Sequence, residues 1–160
     1  MFRPNYKLHR VTDITVDMLK NINIKALILD VDNTLSTHHG MTLVDGLKEW
    51  IETMNNAGIS LIILSNSKRK RVQPFAEKIG LDFVSLACKP LPFGYMKVRK
   101  RLGYKKREIA TVGDQIFTDV MGGNIYGITT IFTDLILPEN KAGFKFKRRL
   151  EKILIKCMKL

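Results

Sequence analysis

The sequence predicts an α/β fold: three layers, with five parallel strands in the middle and helices on both faces. Two observations predict it. Short apolar runs alternate along the chain with segments whose apolar residues recur at helical spacing. That alternation calls for parallel strands joined by right-handed helical crossovers. Four of the strand ends then carry polar side chains, Asp30/Asp32, Ser65/Asn66, Lys89 and Asp114, and the carboxyl end of such a sheet is where ligands bind.

Residues 1–24 read as a lead-in segment, in which Asp13, Thr15 and Asp17 offer caps to a short helix around Val16–Asn21. Residues 26–30 form the first strand, an unbroken apolar run that ends in Asp30 and is expected to be buried on both faces. The loop at 36–41 holds His38-His39-Gly40. A histidine pair suggests a metal site, but no further ligand spacing supports one, so the loop reads as solvated. Residues 43–56 read as a helix with Val44, Leu47, Trp50, Ile51 and Met54 on one stripe, closed by Asn56-Ala57-Gly58. The second strand, 59–64, runs into Ser65-Asn66-Ser67. The helix at 68–79 stops at Gly80; because Pro74 falls inside it, its start is expected near that proline. A third strand at 82–86 leads to Ala87-Cys88-Lys89-Pro90, and a helix over Phe93–Leu102 stops at Gly103. The fourth strand, 108–112, ends in Gly113-Asp114-Gln115. A short helix at 118–126, interrupted by Gly122-Gly123, precedes the fifth strand at 128–132.

A chain of 160 residues is one domain by default and can bury a sizeable core. Three stretches are expected: the lead-in 1–24, the catalytic domain 25–137 and a basic tail 138–160. Cys88 and Cys157 are too far apart in sequence to be a metal-ligand pair, and they read as free thiols in a reducing compartment. The polar N-terminus lacks a signal-peptide core and no apolar run is long enough to span a bilayer. These features point to the cytoplasm, with a place at the inner face of a membrane left open. The net charge of +12 favours anionic partners. Half of it sits in residues 139–160, where eight lysines and arginines face two glutamates.

The strand-end residues suit phosphoryl chemistry. Two carboxylates two apart in extended chain face one side, and they repel unless a cation or a shared proton compensates. Hard oxygen donors suit Mg²⁺. A carboxylate at Asp30 can attack phosphorus to give an aspartyl-phosphate, with charge neutralised by the metal and by Lys89. The hydroxyl of Ser65 can hold phosphate oxygens, Asp114 can complete the metal's carboxylate set, and Asp32 can protonate the leaving alkoxide and then activate water.

Asp30-Val31-Asp32-Asn33-Thr34 resembles the DxDxT signature of the haloacid dehalogenase (HAD) phosphatase superfamily. Ser65, Lys89 and the run Gly113-Asp114-Gln115-Ile116-Phe117-Thr118-Asp119 resemble its second, third and fourth motifs, in the right order. The last run, with Gly122-Gly123-Asn124, is similar to the uncapped YqeG-type subfamily, itself similar to mitochondrial phosphatases of phosphatidylglycerophosphate. The resemblance covers about residues 25–133 and implies a Rossmann-like, HAD-like sheet of strand order 5-4-1-2-3. It implies Asp30 as nucleophile and Mg²⁺ ligand, and Asp32 as acid/base and ligand through its backbone carbonyl. By the same resemblance Ser65 binds phosphate, Lys89 steadies the phosphoaspartate and Asp114 ligates Mg²⁺. Asp119 is either a partner of metal-bound waters or of Lys89, or a helix cap or surface acid. Asn66 serves either a backbone turn or a phosphate contact.

The intervals 30–65 and 65–89 leave no room for a cap domain, so the site should be open to a phosphate on something large. In the tail, Phe146, Leu150, Ile153, Leu154 and Cys157 recur at helical spacing beside Lys145, Arg149, Lys152, Lys156 and Lys159. That pattern describes an amphipathic basic helix, able to pack on the sheet or to lie on an anionic membrane, with Pro138 and Gly143 as its hinge. The expected activity is an Mg²⁺-dependent phosphomonoesterase acting on a lipid phosphate such as phosphatidylglycerophosphate. The alternatives are a phosphatase of a soluble metabolite or of a nucleic-acid phosphate end, and a non-catalytic basic adaptor for RNA or protein.

Overall fold

The computed structural model describes residues 1–36, 41–134 and 136. Its centre is a parallel sheet of six strands: β1 (Tyr6–Leu8), β2 (Ala26–Leu29), β3 (Ser60–Leu64), β4 (Asp82–Val84), β5 (Ile109–Gly113) and β6 (Thr129–Thr133). Their order is β1-β6-β5-β2-β3-β4. The five expected strands are present in the expected order, with β2 central. The sixth, β1, lies in the segment read as a lead-in. Three residues, Tyr6-Lys7-Leu8, are too few for their alternation to register as a strand; β1 is held instead by partners far along the chain. Asn5 N–H donates to the Thr130 carbonyl (3.0 Å), and the Asn5 Oδ1 accepts from Thr130 N–H (2.8 Å).

Each central strand divides its side chains between two cores, as the period of two requires. Leu27, Leu29, Leu61 and Ile63 face one core; Ala26, Ile28, Ile62 and Leu64 face the other. The first core is closed by α1 (Val16–Asn21), α2 (Leu47–Asn56) and α3 (Arg69–Ile79), the second by α4 (Phe93–Leu102) and α5 (Met121–Tyr126). Thr15 caps α1, its hydroxyl accepting from Met18 N–H (3.2 Å). The lead-in belongs to the core: Val11, Ile14 and Leu19 are fully buried, and Trp50 of α2 donates its indole N–H to the Ile14 carbonyl (2.8 Å). Trp50→Phe keeps an aromatic ring, though a smaller one, and strands that carbonyl. It is expected to cost about 1–3 kcal/mol, read by urea denaturation followed by circular dichroism, since the chain's single tryptophan would be gone.

Three helix boundaries differ from expectation. α2 begins at Leu47, because Gly46 takes a left-handed φ of +74° and the chain before it is not helical. α3 begins at Arg69 and runs through Pro74. The carbonyl that Pro74 cannot serve is that of Lys70, on an exposed first turn where water can reach it. Gly122-Gly123 does not interrupt the last helix: a π-helical turn over Ile116–Val120 continues into α5 across both glycines. A side chain at Gly122 would meet the Tyr95 ring, and one at Gly123 the methyls of Thr111 and Thr130. The pair is there for close packing, Gly122 against Tyr95 of α4 and Gly123 on the sheet. Among the described residues no helix is long and apolar enough to cross a membrane. The expected tail helix, its hinge and the His38-His39 loop lie outside the described residues.

Candidate active site

The site forms where β2 and β5 end side by side. Asp30 follows β2 and ties its N–H to the Val112 carbonyl of β5 (3.0 Å); Asp114 follows β5. The loop after β4 brings in Lys89, whose Nζ donates to Asp30 Oδ1 and to Asp119 Oδ1, each at 2.6 Å. All four side chains are buried. One carboxylate oxygen from each of Asp30, Asp114 and Asp119 lies within 4.8 Å of the other two.

Three acids gather around one lysine, which bonds two of them, so the cluster carries surplus negative charge in a desolvated place. Burial pushes Asp30 up to about 7, and the neighbouring Asp119 and Asp32 charges add to the rise while Lys89 opposes it. Burial alone would lower Lys89; the Asp119 and Asp30 carboxylates outweigh it and hold the ammonium above its ordinary range. Lys89 is therefore a fixed cation. A divalent ion would relieve the remaining excess, and a set of hard carboxylate oxygens suits Mg²⁺.

Asp119 reaches this cluster because of the π-helical turn. Val120 N–H shares the Gln115 carbonyl with Asp119 N–H (3.3 and 2.9 Å), and the extra residue in the turn points Asp119 back beneath β5. Its Oδ2 accepts from Gln115 N–H (3.3 Å) and from the Thr118 hydroxyl (3.2 Å), leaving Oδ1 for Lys89. Gly113 makes room: a Cβ there would land on the Asp119 carboxylate. Of the alternatives open for Asp119, the structure has the pairing with Lys89.

The remaining candidates take different places. Asp32 turns out of the acidic cluster and pairs with Arg71 Nη2, while Arg71 Nη1 donates to Ser67 Oγ (3.1 Å). Ser65 is buried at the end of β3, and its hydroxyl accepts from Ser67 N–H (3.1 Å). Asn66 grips the backbone of Lys89 on both sides: Oδ1 accepts from Lys89 N–H (2.7 Å) and Nδ2 donates to the Lys89 carbonyl (3.0 Å). It bonds the residue that bears the cation, just before the cis Lys89-Pro90 peptide. Asn66→Ala would leave both backbone groups without that partner. It is expected to cost about 1–3 kcal/mol by urea denaturation and to lower turnover while Lys89 itself is retained.

Arg71 is the residue that sequence reasoning missed. It sits in the basic run Lys68-Arg69-Lys70-Arg71, and nothing local separates it from its neighbours. A cavity of about 410 Å³ opens beside Asp32 and Ser65, with Lys70, Arg71, Met41 and Phe75 in its wall. A larger one, about 570 Å³, lies at the far end of α4 against Tyr104 and Tyr126 and touches none of the acids.

Residues 1–136 match the family model described as mitochondrial PGP phosphatase. The chain is 34% identical over 161 residues to the "Probable phosphatase YqeG" of Bacillus subtilis, spanning 99% of this chain and 92% of that one. It is 27% identical to the chloroplastic/mitochondrial phosphatidylglycerophosphate phosphatase 1 of Arabidopsis thaliana, over 96% of this chain but 47% of that longer one. In fold it is similar to a 4-nitrophenylphosphatase from Thermotoga maritima, with a TM-score of 0.62 at 14% identity, covering 79% of this chain and 90% of the other.

Proposed function

Because the chain belongs to the mitochondrial PGP phosphatase family, and so is a HAD phosphatase of YqeG type, we propose that it is an Mg²⁺-dependent phosphomonoesterase acting through an aspartyl-phosphate on a lipid phosphate. Phosphatidylglycerophosphate is the substrate proposed. The observation that carries the reading is the joint position of Lys89, Asp30 and Asp119 beside Asp114 at the carboxyl end of the sheet. Asp30 and Asp114 would hold the metal, with the Asp32 carbonyl as a further oxygen. When bound, the ion neutralises charge on the phosphate.

In this mechanism an oxygen of Asp30 attacks phosphorus and the bond to the lipid alkoxide breaks. Asp32 gives that alkoxide its proton. Asp32 then takes a proton from water, whose oxygen attacks phosphorus and releases phosphate and Asp30. Lys89 stays charged throughout and steadies the negative oxygens that Asp30 carries or shares. Ser65 donates its hydroxyl to a phosphate oxygen. Arg71 holds Asp32 before substrate arrives, and an incoming phosphate competes for the same guanidinium. The basic run after Ser67 gives the site mouth a charge suited to anionic headgroups. Among the described residues no cap domain is inserted beside the site, which leaves the mouth open to a large leaving group.

The test is phosphate release from 4-nitrophenyl phosphate and from phosphatidylglycerophosphate, with Mg²⁺ or with a chelator, for wild type and Asp30→Asn. Both substrates should turn over only with metal and only in the wild type. Release that persists in Asp30→Asn would refute the nucleophile; hydrolysis of the aryl ester without the lipid would refute the substrate.

A further inference from the structure

The loop that delivers Lys89 to the site is apolar on its outer side. Leu86, Leu91, Phe93 and Met96 are each more than half exposed, from 52% at Leu91 to 66% at Phe93. They are four of the eight large apolar side chains that stand exposed among the described residues. They bracket Lys89, which is 7% exposed and bonded to Asp30, so one short stretch is buried at its catalytic lysine and bare on both sides of it. Phe93 and Met96 are three apart on α4 and project to the same side. Exposed apolar groups gathered this closely signal an interaction surface.

The charge beside them says which. Leu86 N–H donates to the Ser67 carbonyl (3.0 Å), which seats the apolar stretch next to Lys68, Arg69, Lys70 and Arg71, all exposed. Lys97 and Lys100 of α4 are exposed as well, and no acidic residue occurs from Leu86 to Arg107. An apolar tip flanked only by cations matches the layered chemistry of an anionic bilayer, with acyl chains inside and negative headgroups outside. An acidic protein surface would match the cations and leave the apolar tip without a counterpart.

We propose that residues 86–96 insert into the interfacial layer of an anionic bilayer, with residues 68–70 on the headgroups. This docking turns the carboxyl end of the sheet toward the membrane, so a phosphomonoester meets Asp30 while its acyl chains stay in the bilayer. The inference rests on the lipid-phosphate reading above.

The test uses the full chain and the double variant Leu91→Ser/Phe93→Ser, since neither side chain takes part in the site. Flotation with phosphatidylglycerol vesicles, and phosphate release from phosphatidylglycerophosphate embedded in them, are compared with release from a short-chain phosphatidylglycerophosphate that is monomeric in water. The variant should lose roughly tenfold or more in vesicle binding and vesicle turnover, with the short-chain rate unchanged. Vesicle binding and turnover equal to wild type would overturn the inference and leave the lipid-phosphatase reading standing. Equal wild-type binding to phosphatidylcholine vesicles would overturn the choice of an anionic surface. A wild type that hydrolyses an aryl phosphate but neither form of the lipid would bring down the substrate reading, and this inference with it.

Discussion

Lys89→Met should cost both stability and turnover. The variant keeps most of the volume and removes the one ammonium that Asp30 and Asp119 share at 2.6 Å each. Both acids are buried, so water cannot take the lysine's place without opening the loop. Breaking a buried pair by removing one partner costs about 3–5 kcal/mol, and losing a cation aimed at the reacting phosphate costs roughly 10²-fold or more in turnover. Urea denaturation of metal-free protein and 4-nitrophenyl phosphate hydrolysis read the two effects. Mg²⁺ should restore part of the stability and little of the rate, because a cation in the cluster offsets the acids without standing where Lys89 stood. A variant as stable as wild type without metal would show that the cluster is not held by this charge.

Asp30→Asn should separate the same two quantities. On the proposed mechanism turnover should fall roughly 10⁴-fold or more, since an amide cannot act as the nucleophile. Metal-free stability at pH 8 is expected to rise. The sign follows from Asp30 being pushed from 3.8 to about 7 by burial and its acidic neighbours. Between those values the folded protein holds a proton that the unfolded chain has released, so stability falls as pH climbs through that window. Above about 7 the whole cost is in place, and asparagine removes it. Below the ordinary carboxylate range the advantage should vanish. The second reading is ligand-induced: Mg²⁺ should raise the melting temperature of wild type more than that of Asp30→Asn, because the variant has lost a charged oxygen donor. Equal shifts in the two proteins would remove Asp30 from the metal site.

The sequence was legible where local chemistry decides. Helix α4 was read to the residue because its apolar spacing ends at Gly103, which takes a left-handed φ of +75°. The central strands were read because burial on both faces leaves an unbroken apolar run. Strand β1 was not, since its pairing depends on Asn5 and Thr130, 125 positions apart. The acids and the lysine at the strand ends were legible as a set, and their mutual bonds were not. Asp119 touches Lys89 through a turn whose extra residue no propensity announces. Asp32 meets Arg71 only because α3 starts at Arg69 rather than near Pro74. Asn66 had two readings, a local turn or a phosphate contact, and its bonds to the Lys89 backbone, 23 positions away, are not that local turn.

The π-helical turn over Ile116–Val120 makes this part of the chain a ruler as well as a scaffold. Excising one residue between Asp114 and Asp119 would let the turn tighten to ordinary helix and swing the second acid about 100° around the axis, away from Lys89. Substitutions at the outward positions leave the count intact. Drift in this lineage should therefore tolerate neither insertion nor loss here, while the burial of Ile116 and the bond from Thr118 to Asp119 restrict what can be exchanged.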